Sequence, residues 1–290
     1  MRKLDARRRA SRSVRFDVAC LQTEHRATVE ATLAGVADLA RAATRDPAGP
    51  PRLIALPEYF FVPRGHAEGE SPRRTVPEAE RFVADLSRDL GCAVAGTTLV
   101  ESGAALNNRG IVYDHGRLVG AQTKIHPMPR EAANGIVGGD RLATFEVAGR
   151  RAGILVCADV LYPEAARVLA LDGAEILLVP VMSPHLEPDP TREAREALFV
   201  ARAYDAGAFV LKAGGFSRVD PAVAGRSFIA APWGILARYG DPFEPAIVRA
   251  TLDFDLLARF RTRSRGLVDR RPEVYADLSR APARSKEETI

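Results

Sequence analysis

The stretch Ala152-Gly153-Ile154-Leu155-Val156-Cys157-Ala158-Asp159-Val160-Leu161-Tyr162-Pro163-Glu164 changes character twice. Residues 152–157 are an apolar run of strand length. Pro163 with Glu164 then opens a helix expected over 163–171, because proline is tolerated in a first helical turn and a carboxylate suits the positive end of the helix dipole. Gly173 closes that helix, and 175–181, rich in Ile, Leu and Val, reads as a strand buried on both faces. Strand, helix and strand in succession set the fold class as α/β.

The alternation continues in both directions. Residues 15–21 are expected as a first strand with Phe16 and Val18 on one face. Over 24–45 apolar residues recur at Val29, Leu33, Val36 and Ala40, a helical stripe that ends before Asp46-Pro47. Residues 53–56 form a short buried strand, and Pro77 opens a helix through Phe82, Val83, Leu86 and Leu90 that Gly91 caps. Short strands follow at 93–100, 109–113, 117–123 and 144–147, separated by Gly or Asn turns. Downstream come a helix over 192–206 and strands at 209–213, 227–231, 235–239 and 247–252, with Pro232-Trp233-Gly234 as an antiparallel turn. More than ten strands against about four main helices suit two sheets packed face to face with helices outside.

With 290 residues, 47% of them hydrophobic and 27% charged, the chain has the composition of a soluble globular protein with one large core. No run approaches the roughly 18 apolar residues of a membrane span, and no apolar leader marks secretion. The net charge of +4 owes much to Arg2, Lys3, Arg7, Arg8, Arg9, Arg12 and Arg15. Lacking interleaved aromatics or a recognition motif, this basic arm, residues 1–13, reads as a solvated tail and not as a nucleic-acid binder. Residues 14–276 are expected to form a single domain, and 277–290 a polar tail. Cys20, Cys92 and Cys157, odd in number and widely spaced, indicate neither a disulfide framework nor a zinc site. A cytoplasmic protein without membrane partners is expected.

Three polar residues stand at strand mouths: Cys157, Glu58 after Pro57, and Lys124 after residues 117–123. A free Cys is ordinarily a small buried hydrophobe, but burying an unpaired carboxylate or ammonium costs several kcal/mol, so their company carries information. A thiol with a pKa of about 8.5 is mostly protonated at neutral pH and needs a base to act as a nucleophile. Among His25, His66, His115, His126 and His185 no Cys-His-Asn pattern emerges, although His126, close to Lys124, stays open. Glu58 serves instead if desolvation lifts its pKa. Lys124 supplies a fixed positive charge that, with the Ala158 N–H, suits an oxyanion; one such donor is typically worth about 10²- to 10³-fold in rate.

These residues resemble the nitrilase, or carbon-nitrogen hydrolase, superfamily. The likeness lies in Leu56-Pro57-Glu58-Tyr59-Phe60, in Thr123-Lys124-Ile125-His126 and in Val156-Cys157-Ala158-Asp159 through Pro163-Glu164, in the family's order. Val18-Ala19-Cys20-Leu21-Gln22, Gly173-Ala174-Glu175-Ile176-Leu177, Ala201-Arg202-Ala203, and Gly225-Arg226-Ser227 with Pro232-Trp233-Gly234 extend it over about residues 14–276. The resemblance implies a four-layer αββα sandwich, with Glu58 as general base, Lys124 as oxyanion stabiliser and Cys157 as nucleophile. It implies that Glu131, otherwise a solvated carboxylate beside Arg130, orients substrate and triad. It also implies a homodimer or higher homo-oligomer in which sandwiches stack, and a reaction on a small-molecule amide without metal or organic cofactor. Phe60, Phe61, Tyr162, Met182, Ser183 and His185 follow the motif strands and read either as pocket lining or as core and rim.

Departures from the family pattern bear on the substrate. Ala158-Asp159 looks like the amide-hydrolysing branches, where true nitrilases carry Trp-Glu. Val160 and Leu161 stand where many amidase and carbamoylase relatives place an Arg, so a carboxylate bound at that spot is not expected. Arg202-Ala203-Tyr204-Asp205-Ala206 replaces the common Arg-Ala-x-Glu-Asn. The leading expectation is hydrolysis of a non-peptide amide through a cysteine thioester. Acyl transfer to an amine, N-carbamoyl amide or nitrile hydrolysis, and a non-enzymatic binding scaffold are the alternatives.

Overall fold

The computed structural model describes residues 16–62, 76–103, 105–182, 194–220 and 222–279. The basic arm, Ser183, His185 and most of the C-terminal tail lie outside them. In chain order the first half contains β1 (Phe16–Gln22), α1 (Val29–Thr44), β2 (Leu53–Ala55), α2 (Val76–Leu90), β3 (Ala93–Ser102), β4 (Ala105–Asp114), β5 (Arg117–Thr123) and α3 (Pro129–Ala133). The second half contains β6 (Phe145–Val147), β7 (Arg150–Ile154), α4 (Pro163–Leu171), β8 (Ile176–Val181), α5 (Arg195–Ala206) and β9 (Phe209–Gly214). It closes with β10 (Phe228–Ala231), β11 (Gly234–Arg238), β12 (Ala246–Leu252), α6 (Phe254–Arg263) and α7 (Arg265–Val268).

Side-chain alternation along the strands builds the layers. On β1, Phe16, Val18 and Cys20 face the second sheet, while Ala19 and Leu21 face α1 through Val36, Ala37 and Ala40. On β8 the same division sends Ile176 and Leu178 between the sheets and Leu177 and Val179 toward α4 and α5. Two six-stranded sheets result, in the orders β12-β1-β2-β3-β4-β5 and β11-β10-β9-β8-β7-β6. Helices α1 and α2 cover one outer face and α4 and α5 the other, which makes the αββα sandwich. Each fully buried aliphatic or aromatic side chain in these layers contributes on the order of 1.5–3 kcal/mol.

Each sheet holds three parallel neighbours, β1-β2-β3 and β7-β8-β9, whose carboxyl ends are where ligand sites of such sheets form. Beneath that rim the sheets approach closely. A Cβ at Gly110 of β4 would lie 2.7 Å from Ile154, so only glycine permits this spacing.

Three expectations need correction. The helix expected from residue 24 begins at Val29, because Thr28 caps it by accepting from Ala31 N, and Glu24 instead pairs with Phe216 in a β-bridge. The strand expected to reach Cys157 ends at Ile154; Leu155 N still bonds Leu178 O, after which the chain turns. Helices α3, α6 and α7 were not expected at all. Among the described residues no helix is long and apolar enough to cross a membrane.

Candidate active site

Each polar residue stands one to three residues past the end of its strand. Leu56 N bonds Ala95 O and so extends β2 to Pro57-Glu58; Tyr59, which follows with φ 52°, is fixed by its N–H to Thr97 Oγ1 at 2.9 Å. Lys124 N bonds Asn108 O at 2.8 Å, one step beyond β5. Cys157 has φ 49° and opens a 3₁₀ turn over Cys157–Leu161. The Ala158 N–H therefore belongs to the amides that a helix start leaves without an internal partner. Asp159, fully buried, ties this turn to the Lys124 segment by accepting from Val156 N (3.2 Å), Ile125 N (3.2 Å) and His126 N (2.9 Å).

These connections bring Glu58, Lys124, Glu131 and Cys157 together. Lys124 Nζ donates to Glu58 Oε1 at 2.9 Å and to Glu131 Oε2 at 2.6 Å. Asn108 Nδ2 also spans both carboxylates, at 2.8 Å to Glu58 Oε1 and 3.0 Å to Glu131 Oε1. Tyr59 OH donates to Glu131 Oε1 at 2.6 Å, and Met182 N donates to Glu58 Oε2 at 3.1 Å. Glu131 sits at the third position of α3, where it also accepts from Met128 N at 2.8 Å and so caps the helix start. The Cys157 thiol lies close enough to the Glu58 carboxylate and the Met182 N–H for both to act on its ionisation.

Ionisation follows from this packing. Burial pushes the Glu58 pKa up; Lys124 opposes that and Glu131 reinforces it, leaving a carboxylate that is a stronger base than usual. Burial also pushes the Cys157 thiol up and the Glu58 charge adds to it, outweighing Lys124, so the resting group is S–H. For Lys124, burial pulls the pKa down, but Glu58, Cys157 and Glu131 raise it further and keep the ammonium charged. Burial likewise raises Glu131, yet Lys124 and the hydrogen bonds from Tyr59 and Met128 N bring it below its ordinary value. The cluster can thus deprotonate a thiol and hold a fixed cation beside it.

The other candidates divide. Tyr162 is exposed at the rim, its ring stacked on His126 at 3.5 Å, and Met182 is half-buried beside Glu58. Phe61, and Phe60 with it, have no accessible surface; they pack among Phe82, Val83 and Leu106 in the layer outside the first sheet. Of the two readings left open by the sequence, pocket lining or core, the structure places both in the core. His126 directs Nδ1 to Asp159 at 2.9 Å. Asn108, Tyr59, Asp159 and Arg202 were missed: each acts through hydrogen bonds to partners far away in sequence.

The carbon-nitrogen hydrolase family profile matches residues 17–262, and the chain belongs to that family. It is 30% identical over 238 residues to a protein of Pseudomonas protegens described as a hydrolase in the pqqF 5' region, covering 79% of this chain and 81% of that one. It is 27% identical to the human omega-amidase NIT2, covering 80% and 87%. The crystal structure of a carbon-nitrogen hydrolase from Helicobacter pylori G27 superposes with a TM-score of 0.80 at 23% identity, covering 92% of this chain and 99% of that one.

Proposed function

We propose that the protein hydrolyses a small-molecule amide through a thioester on Cys157, with Glu58 as base and Lys124 as oxyanion partner. The observation that carries this reading is Glu58 itself, held 2.9 Å from the Lys124 ammonium in a buried site, with its charge acting on the Cys157 thiol. Glu58 takes the thiol proton as sulfur attacks the amide carbon, and Lys124 with the Ala158 N–H holds the oxygen. The same proton passes to the leaving nitrogen, the C–N bond breaks and a thioester remains. Glu58 then takes a proton from water as the hydroxide adds. The C–S bond breaks, the acid leaves and the proton returns to sulfur. Glu131, fixed by Tyr59 and α3, orients Lys124.

Intact-mass measurement after mixing with a panel of amides tests this directly. A mass increase equal to the acyl group is expected, absent in Cys157→Ala; a Cys157→Ala protein with full hydrolytic activity would refute the mechanism. Repeating the reaction with an added amine separates hydrolysis from acyl transfer. All three cysteines are free thiols, which fits the cytoplasmic setting we propose.

A further inference from the structure

The two groups that would hold an oxyanion come from different sheets. Lys124 follows β5, at the edge of the first sheet, whereas the Ala158 N–H belongs to the turn that follows β7 of the second. No strand ladder joins β5 to β7, so sheet pairing does not fix their separation. That separation matters, because a displacement of about 1 Å at a reacting site costs on the order of 10²-fold in rate.

Among the described residues, every hydrogen bond between residues 124–131 and 155–163 ends on one carboxylate, that of Asp159. Its side chain is wholly buried, and among the described residues no Lys or Arg pairs with it. Oδ1 accepts from His126 N at 2.9 Å and lies 2.9 Å from His126 Nδ1. Oδ2 accepts from Val156 N at 3.2 Å, and Ile125 N is shared between the two oxygens at 3.2 Å. A carboxylate that only accepts assigns the imidazole proton to Nδ1.

His126 grips the nucleophile turn at a second point. Its ring stacks on Tyr162 at 3.5 Å with 11° between the planes, and Tyr162 closes the turn through its N–H to Asp159 O at 3.2 Å. Glu58 is held by other partners, namely Asn108, Lys124 and the Met182 N–H. A change at His126 therefore reaches the register of Lys124 against Ala158 and leaves the base in place.

We propose that His126 is a positioning residue: its Nδ1–H bond to Asp159 sets the distance between Lys124 and the Ala158 N–H and so assembles the oxyanion site. The inference rests on the hydrolase reading above. It gives the histidine beside Lys124 a part other than base to Cys157.

Three substitutions separate the bond from the stack, at a side chain 30% exposed and so replaceable without opening the core. His126→Asn keeps an N–H at the Nδ1 position and loses the stack; His126→Phe keeps the stack and loses the N–H; His126→Leu loses both. On an amide that the wild type hydrolyses, kcat is expected to fall roughly 10- to 100-fold in the Phe and Leu variants, with KM changed by less than about 3-fold. His126→Asn is expected to stay within about 5-fold of wild type. Mixed-disulfide formation at Cys157 with methyl methanethiosulfonate uses the sulfur but makes no oxyanion on carbon, and its rate is expected to stay at the wild-type value in all three. A Phe variant as active as wild type, or an Asn variant as slow as Leu, overturns the proposal. Disulfide formation slowed in step with hydrolysis also overturns it, because the turn as a whole would then have loosened. Proton–nitrogen correlation NMR reads the bond without turnover: the neutral ring is expected to carry its proton on Nδ1. That tautomer in a protein that hydrolyses no amide would keep the brace and sink the hydrolase reading. Cys157-dependent hydrolysis with the proton on Nε2 would do the reverse.

Discussion

Asn108 gives one amide nitrogen to two carboxylates, and its own Oδ1 is left buried without a donor. An orphaned acceptor of this kind costs about 1–3 kcal/mol, so the side chain is kept for what its N–H groups do. They favour the ionised forms of Glu58 and Glu131. Asn108→Leu, near in volume, removes those donors together with the orphan, so the fold is expected to survive. The Glu58 pKa then rises, the acid limb of the kcat/KM profile moves to higher pH, and kcat/KM at neutral pH falls by roughly 10-fold. An acid limb that stays in place counts against Glu58 as the base. Glu58, Lys124 and Cys157 were legible because each stands at the end of a strand-like segment, inside a short motif. Asn108 and Tyr59 were not, since their bonds to Glu58 and Glu131 span 50 and 72 residues and leave no periodic trace.

Among the elements, those with a clear period were readable, while α3, five residues long, and α6, which buries only Phe254 and Leu257, lack an adequate stripe. The 3₁₀ turn at Cys157 depends on tertiary contacts: besides Asp159, Arg202 on α5 donates to Val160 O at 2.9 Å and Leu161 O at 3.1 Å. On β9, Lys212 reads as a polar interruption but is buried near the rings of Phe199 and Phe228. Burial lowers its pKa to about 7; Cys157 opposes this and Arg226 adds to it. A depressed folded-state pKa contributes stability that is present above the unfolded value, about 10.5, and is lost as pH falls through the folded value. Wild-type Tm minus Lys212→Met Tm is therefore expected to grow by several °C from pH 7 to pH 10. A difference that stays flat over that range would show that Lys212 keeps its charge throughout.

The whole molecule carries its chemistry on one rim and leaves an apolar surface on one outer layer. Helices α4 and α5 pack side by side and expose Val168, Leu171 and Tyr204, the last stacked edge-on against Phe260 at 5.3 Å. We propose that a second copy covers this layer and stacks two sandwiches back to back, as the family resemblance implies. The consequence reaches the thiol, because α4 follows the nucleophile turn directly and α5 holds that turn through Arg202. Light scattering on the purified protein is expected to give twice the 31.4 kDa chain mass. Val168→Asp with Leu171→Asp places charges in the contact and should yield a monomer. That monomer should keep its far-UV circular dichroism but lose kcat more than KM, since the turn is loosened while the strand-end residues stay in place. A wild-type monomer at micromolar concentration, or a monomeric variant with unchanged kcat, would show that this layer neither pairs nor steadies the nucleophile.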